Sequence, residues 1–165
     1  MQTDIETDIE AALIGCLMLD YRAATNETAD FAITPDMFVS GMARSVFEAI
    51  QTLAAEKSPV DPLTVRDKIR AQGDAGDKVT AYLCRAIDNT PTAAHAAYYG
   101  QLLRMRHESR RLRGILRAAD RRLDDEPADM VQTGLLRQLS QNDADPARDG
   151  ITFTEATDQA VAAFR

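Results

Sequence analysis

Residues 105–123 have the sequence MRHESRRLRGILRAADRRL, and the rest of the fold is predicted outward from them. At 100° per residue, its apolar side chains fall on one narrow stripe and its evenly spaced arginines fall on the far side. The apolar stripe consists of Met105, Leu112, Leu116, Ala119 and Leu123, and the arginine face consists of Arg106, Arg110, Arg113, Arg117 and Arg121. This pattern predicts a two-faced helix.

A second amphipathic helix is predicted directly after it. Residues 124–127, Asp-Asp-Glu-Pro, end the arginine-rich helix and place negative charge at the start of the next one, where the helix dipole favours it. That helix offers Val131, Leu135 and Leu139 at helical spacing. Because the connection is so short, the two helices are expected to pack as an antiparallel hairpin. A lone hairpin satisfies the two apolar stripes only in part, so the sequence favours an assembly and docking module over an active site.

The residues before the hairpin carry signals for several shorter helices. Apolar periodicity predicts a first helix up to Leu19, and Ser40 and Asp61 are placed to cap a second and a third. Two more helices are predicted, over about residues 78–88 and from residue 91 through Ala94, Tyr98 and Leu102. The polar, aperiodic residues 21–33 predict a loop, and a short helical turn is expected at 35–38. Gly15 within the first helix indicates either a close backbone approach or simple packing.

Composition limits the kinds of function that the chain can have. Aromatic residues make up only 5% and Trp is absent, so the core must be built from Leu, Ile, Val, Met and Ala, which favours helices. The net charge of −7 opposes nonspecific adhesion to nucleic acid. Cys16 and Cys84 stand among apolar residues at helical spacing, which is typical of buried free thiols. With no signal-peptide core and no apolar run of membrane-spanning length, we expect a cytoplasmic protein without a membrane partner.

The groups that would support catalysis are not found in the sequence. The fragment at residues 73–78, GDAGDK, differs in spacing from a phosphate-binding loop and lacks its hydroxyl residue. His95 and His107 lack a Glu-flanked metal motif, and acidic pairs such as Asp124-Asp125 are typical of helix starts. We therefore expect no catalytic residue, no cofactor and no metal site in this chain.

The last segment has the composition of a tether. Residues 142–150, NDADPARDG, are charged, carry a proline and are almost free of apolar side chains, as is usual for a linker. A Thr152-x-x-Glu155 cap then predicts a short final helix. Its apolar residues Phe153, Ala160 and Phe164 lie close in azimuth and are expected to dock on another surface.

The arginine run admits three interpretations. Eight arginines between residues 104 and 122 stand against Glu108 and Asp120, which is a local excess of positive charge in an acidic chain. The run is a solvated helix face, a partner-docking face or a phosphate-contacting strip. Amphipathicity does not choose among the three.

Short segments in a fixed order carry a family resemblance. Residues 8–15, DIEAALIG, are similar to a Glu-Ala-Glu-x-x-Val-Leu-Gly opening. Further matching segments are LMLD at 17–20, Phe38, RSVFEAI at 44–50, PVDPLTV at 59–65, Tyr82-Leu83 and NTPTAAH at 89–95. In order and spacing, residues 8–112 resemble the N-terminal domain of the bacterial replicative DNA helicases, the DnaB family.

The resemblance implies a domain organisation and a function. It implies an all-α chain with a compact multi-helix head (1–104), an antiparallel helical hairpin for oligomerisation and docking (105–141), and a linker with a short helix (142–165). In the family that helix leads to a RecA-like motor, so ATP and Mg are expected only there. The chain would be the non-catalytic collar of an ATP-dependent helicase, forming dimers of hairpins within a hexamer and docking a DnaG-type primase or a helicase loader. It would meet DNA only indirectly.

Specific residues are assigned to these roles. The hairpin interface is predicted to use Met105, Leu112, Leu116, Leu123, Val131, Leu135 and Leu139. The arginine face is predicted to dock the partner, and Phe153, Ala160 and Phe164 are predicted to dock the linker helix. Two alternatives remain: a stand-alone regulator of a host helicase, and a local DNA-binding module that uses the arginine-rich helix. An enzyme in its own right is the least favoured interpretation.

Overall fold

A computed structural model describes residues 2–71 and 76–143 of the chain, and the side chains of residues 6–71 and 77–140. Seven α-helices and three 3₁₀ turns make up the secondary structure of these residues, which include no strand. The helices are α1 (Gln2–Leu19), α2 (Tyr21–Thr28), α3 (Gly41–Ala55), α4 (Pro62–Ala71), α5 (Gly76–Asp88), α6 (Ala96–Arg122) and α7 (Ala128–Asp143). The 3₁₀ turns are Ala29–Phe31, Pro35–Met37 and Ala93–His95. The all-α prediction is confirmed.

The chain divides into two compact units, Met1–Glu108 and Ser109–Arg165. In the first unit, α1 packs against α2, α3 and α5, and α4 packs against α3 and α5. The second unit contains the end of α6 and all of α7. The predicted linker and its short helix lie outside the described residues, apart from the first residues of the linker at the end of α7.

The predicted helix caps are present at α3 and α4. The hydroxyl of Ser40 accepts a hydrogen bond from the backbone N–H of Ala43 at 3.3 Å. One carboxylate oxygen of Asp61 accepts bonds from the N–H groups of Leu63 and Thr64. These side chains satisfy amide groups that have no partner within the first turn of a helix.

The prediction of a loop over residues 21–33 is wrong. Asp20 adopts an extended backbone conformation and accepts a hydrogen bond from the N–H of Ala23 at 3.0 Å, which starts α2. The inner face of α2 buries only Ala24 and Thr28, and the Thr28 hydroxyl donates to the carbonyl of Ala24. Because small and polar residues form this face, the helix has no large-apolar periodicity for a sequence pattern to detect.

The start of α6 also differs from the prediction. The hydroxyl of Thr92 accepts a bond from the N–H of Ala94, and the chain first makes a 3₁₀ turn before α6 begins. A 3₁₀ turn has three residues per turn instead of 3.6. The side chains of the α-helix that follows therefore point in other directions than an α-helix starting at residue 91 would give them. Ala96 and Leu103 are therefore buried, whereas Tyr98 is exposed. From Ala96 the helix continues to Arg122 without a break.

The core of the first unit consists mainly of aliphatic side chains. Its largest fully buried members include Leu13, Ile14, Val46, Ile50, Val65, Ile69, Val79, Leu83 and Leu103. Phe38 adds an aromatic ring that packs against Phe47, with 4.9 Å between the ring centroids. The prediction of an aliphatic core is confirmed.

Gly15 lies where α1 and α5 approach each other. A Cβ atom at this position would collide with the side chain of Thr90 and with the backbone carbonyl of Ala86. The hydroxyl of Thr90 donates to that same carbonyl at 2.7 Å. The close-approach interpretation of Gly15 is confirmed, and the segments at 8–15 and 89–95 are in contact here.

Glu10 is a buried carboxylate at the start of α3. Its two oxygens accept hydrogen bonds from the backbone N–H groups of Val39 at 2.6 Å and Ser40 at 3.0 Å. Arg44 holds the same segment from the other side by donating to the carbonyls of Pro35 and Phe38. Two charged side chains therefore fix residues 35–40 against α1 and α3.

The two cysteines differ in environment. Cys16 is buried, its thiol donates to the carbonyl of Thr92, and burial raises the pKa of that thiol to about 11. Cys84 is exposed, so the prediction that it is buried is wrong. It follows the buried Leu83 by one residue, and a 100° step on α5 carries its side chain to the solvent side. Both thiols are free.

Candidate interaction surfaces

The second unit is a helical hairpin with a short, ion-paired connection. Residues 123–127 join α6 to α7, and the guanidinium of Arg122 donates two hydrogen bonds to the carboxylate of Glu126, at 2.8 and 2.5 Å. This bonding lowers the pKa of the Glu126 carboxyl. Arg122 also covers Gly134: a Cβ built there would lie 2.8 Å from Nη1. The helix α7 therefore folds back beside the end of α6.

The hairpin buries some of its apolar side chains and exposes others. Ala119 and Val131 are buried, while Leu135 and Leu139 are half-buried. By contrast, Leu112, Leu116 and Leu123 remain 45%, 49% and 53% exposed. We call these three side chains the leucine row. The predicted interface set therefore separates into residues that the chain itself covers and a row, along α6 and the residue directly after it, that the chain leaves accessible.

Two members of the predicted interface set stand apart from the leucine row. Val131 is only 3% exposed, so little of its surface remains for contact with another chain. Met105 is exposed but belongs to the first unit. The exposed residues Met130 and Leu136 on α7 were not among the predicted interface residues. They lie off the stripe of Val131, Leu135 and Leu139 from which that prediction was made.

The arginine face is not uniform. Arg106 lies in the first unit, 4.0 Å from the carboxylate of Glu6, and Arg110 is half-buried. Arg113, Arg117 and Arg121 are exposed. Within the described part of the chain, no carboxylate lies within ion-pair distance of these three guanidinium groups, which we call the arginine trio. The accessible positive charge of this helix is concentrated in its second half.

The remaining expectations concern metals, membranes and the linker helix. His95 packs edge-on against Tyr99, and His107 lies 3.6 Å from the carboxylate of Asp36. Over residues 2–71 and 76–143, no group of three or more His, Cys, Asp and Glu side chains is arranged to hold a metal ion. None of the helices described is both long and apolar enough to cross a membrane. The predicted linker-helix residues Phe153, Ala160 and Phe164 lie outside the described residues.

The first unit also contains a polar cleft that the sequence analysis missed. It has a volume of about 770 Å³ and lies between α1, α5 and the start of α3. Lys78, Tyr82 and Arg85 line it from α5, and Thr7 and Asp8 line it from α1. A spacing of i, i+4, i+7 places the three α5 residues on one helical face. This spacing is visible in the sequence and could have indicated a polar face on α5. The sequence does not show that α1 and the start of α3 form the opposite wall of a cleft.

The fold defines the class of the protein first: an all-α domain in which a helical head is followed by a helical hairpin. Residues 2–105 match the family described as DnaB-like helicase N terminal domain. This match covers more than half of the chain, so the chain belongs to that family. The resemblance noted from the sequence is confirmed.

Known relatives and a solved structure agree with this assignment. The chain is 28% identical over 99 residues to the replicative DNA helicase DnaB of Rhodothermus marinus, and 28% identical over 106 residues to that of Geobacillus stearothermophilus. These matches cover 58% and 64% of this chain, but only 10% and 23% of the relatives' length. The crystal structure of the N-terminal domain of DnaB helicase from Mycobacterium tuberculosis has the same fold, with a TM-score of 0.71 and 22% identity. That similarity covers 81% of this chain and 96% of the solved one.

Proposed function

We propose that this chain acts as the non-catalytic collar domain of a replicative DNA helicase, joining subunits through its hairpin and docking a primase or a helicase loader. The proposal assigns ATP, Mg and strand separation to a motor domain of a longer protein. The observation that carries it is the leucine row, a run of half-exposed leucines on the hairpin of a chain from this helicase family. Exposing such a row of apolar side chains to water is unfavourable, and a second hairpin packed against it would remove that exposure.

The size of the leucine row supports a weak pairing of hairpins. Covering the exposed half of one leucine contributes about 1 kcal/mol, so three leucines from each of two chains contribute about 6 kcal/mol. Association costs about 4 kcal/mol or more in lost translational and rotational freedom. We therefore propose a weak dimer of isolated chains, which becomes a stable contact where a hexameric parent holds the hairpins together.

The arginine trio supports the docking part of the proposal. Arg113, Arg117 and Arg121 are exposed on α6, which also carries Leu112 and Leu116 of the leucine row. Guanidinium groups bind carboxylates through paired hydrogen bonds, so an acidic surface on a primase or a loader is the complementary partner. Direct DNA binding would rest on the exposed arginines of one helix, against a chain charge of −7 that repels a polyanion.

A titration with the primase of the same organism tests the docking proposal. The variant Arg113→Glu with Arg117→Glu reverses two charges of the trio, and Arg22→Glu with Arg70→Glu reverses two exposed charges of the first unit as a matched control. We expect the trio variant to bind the primase at least about tenfold more weakly by calorimetry, and the control to bind like the unmodified chain. Equal affinity of the two variants would contradict docking at the trio. Salt-sensitive binding of duplex DNA that is lost only in the trio variant would favour the DNA alternative.

A further inference from the structure

The wall that α5 presents to the polar cleft consists of hydrogen-bond donors. Lys78, Tyr82 and Arg85 follow one another along a single face of the helix, with about 10 Å of helix axis between the first and the last. An ammonium group and a guanidinium group carry donors only, and a phenol hydroxyl can donate as well. In the described residues, neither Lys78 nor Arg85 has a carboxylate within ion-pair distance. A ligand in this cleft must therefore bring acceptors.

The hydroxyl of Tyr82 gives independent support for a ligand. Tyr82 is only 8% exposed, and its hydroxyl has no hydrogen-bond partner among the described residues. A buried polar group without a partner costs about 1–3 kcal/mol, and such groups are rare in folded proteins. The oxygens of the Glu10 carboxylate accept from the N–H groups of Val39 and Ser40, and no hydrogen bond joins them to the Tyr82 hydroxyl. The hydroxyl is therefore available to a group that enters the cleft.

The opposite wall limits the class of ligand. It is formed by Asp8 and Thr7 together with small and apolar residues, among them Ala11 and Met42. Among the described residues that line the cleft, Tyr82 alone is aromatic and it is buried, so these residues offer no exposed ring to stack on a nucleobase. A peptide fits better, because its carboxylates suit the donor wall, its backbone N–H groups suit Asp8, and its side chains suit the apolar part.

We propose that the cleft between α1, α3 and α5 binds an acidic peptide segment of a partner protein. Carboxylates of the segment pair with Lys78 and Arg85, and an acceptor oxygen between them receives the hydroxyl of Tyr82. This site lies in the head and shares no residue with the leucine row or the arginine trio. Its failure would therefore leave the collar function untouched.

A labelled peptide tests the proposal on the full 165-residue chain. The probe is fluorescein-labelled (Glu-Ala)₄, titrated by fluorescence anisotropy at low ionic strength, with (Gln-Ala)₄ as the neutral control. We expect the acidic peptide to bind and the neutral one not to bind. Lys78→Gln with Arg85→Gln should weaken binding about tenfold, whereas Arg22→Gln with Arg70→Gln, which removes the same charge elsewhere in the first unit, should change it less than about twofold.

The variant Tyr82→Phe separates a ligand-binding role from a structural one. It removes a hydroxyl that makes no bond within the described residues, so urea unfolding should show an unchanged or slightly higher stability. Peptide affinity should nevertheless fall about fivefold. The proposal is overturned if Tyr82→Phe binds the peptide like the unmodified chain, or if both charge variants lose affinity equally. It is also overturned if the acidic peptide fails to bind while an oligothymidine does.

Discussion

Glu10 connects the first helix to the start of the third. A fully buried carboxylate normally destabilises a fold, but here each oxygen accepts a backbone N–H group at the N-terminal end of α3, where the helix dipole favours negative charge. Glu10 belongs to the segment at residues 8–15 that carries the family resemblance, but the segment alone does not indicate its role. The structure supplies the physical reason: the residue ties α1 to a helix that begins 30 residues later.

Removing the Glu10 carboxylate should destabilise the chain strongly. Glu10→Ala leaves the N–H groups of Val39 and Ser40 without their carboxylate acceptor and opens a cavity at a fully buried position, so we expect the free energy of unfolding in urea to fall by about 3 kcal/mol. Glu10→Gln keeps one carbonyl acceptor and should lose about half as much. Glu48→Ala removes an exposed glutamate from α3 and serves as the control. A loss in Glu10→Ala no larger than that in Glu48→Ala would contradict the capping role.

Replacing two glycines of the chain by alanine should change its stability in opposite directions. Gly15→Ala would force a Cβ into Thr90 and the carbonyl of Ala86, so we expect a loss of about 2–4 kcal/mol in the free energy of unfolding. Gly114 lies inside α6 with nothing within 4 Å of an added Cβ, so Gly114→Ala should stabilise the chain by about 1 kcal/mol through helix propensity. Thermal and urea unfolding measure both changes. Similar effects of the two substitutions would refute the close approach of α1 and α5.

Most of the helices could be predicted because their apolar residues recur at helical spacing on the face that is buried from water. The helices α3, α4 and α5 each bury one stripe of large apolar residues, which a sequence pattern reveals directly. The helix α2 was missed because its buried face is an alanine and a threonine, and tertiary contact with α1 supplies what propensity does not. The register at the start of α6 was missed because a 3₁₀ turn precedes it.

The 3₁₀ turn at Pro35–Met37 predicts a dependence of stability on pH. A hydrogen bond from the side chain of Thr34 lowers the pKa of the Asp36 carboxyl, and a backbone hydrogen bond and the Arg44 guanidinium lower it further. A carboxyl whose folded pKa is depressed stabilises the fold above its unfolded pKa, and this contribution is lost as pH falls through the folded value. Asp36→Asn should therefore be less stable than the unmodified chain at neutral pH.

The stability difference between Asp36→Asn and the unmodified chain should disappear in acid. Urea unfolding from neutral pH to about pH 2 measures it, and the difference should be small throughout because Asp36 is largely exposed. A difference that stays constant over this range would show that the carboxylate charge does not stabilise the turn.

The candidate sites could be predicted only where one helix supplies the whole surface. The arginine trio lies on α6, and the leucine row lies on α6 and the residue directly after it, so helical periodicity alone placed them on separate faces. The polar cleft is built from residues far apart in the sequence, such as Thr7, Ser40 and Lys78. Their meeting depends on how α1, α3 and α5 pack, which no local pattern specifies.

For the molecule as a whole, the two units carry different tasks in the proposed function. The first unit buries an aliphatic core and matches the helicase N-terminal family over residues 2–105. The hairpin exposes apolar and positively charged side chains on one helix. Contacts through the leucine row should withstand salt, because they are hydrophobic, whereas contacts through the arginine trio should weaken as salt screens them. Salt therefore separates self-association from partner docking.

Sedimentation equilibrium tests the proposed pairing of hairpins most directly. The measurement compares the unmodified chain with Leu116→Asp, which places a charge in the centre of the leucine row, and with Leu63→Asp, which alters an exposed leucine of α4. We expect the average mass of the unmodified chain and of Leu63→Asp to rise with concentration, while Leu116→Asp stays monomeric. A net association free energy of about −2 kcal/mol gives detectable dimer only in the low millimolar range, so the measurement extends to about 2 mM. An unmodified chain that remains strictly monomeric there, or a Leu116→Asp variant that associates like it, would contradict the proposed pairing.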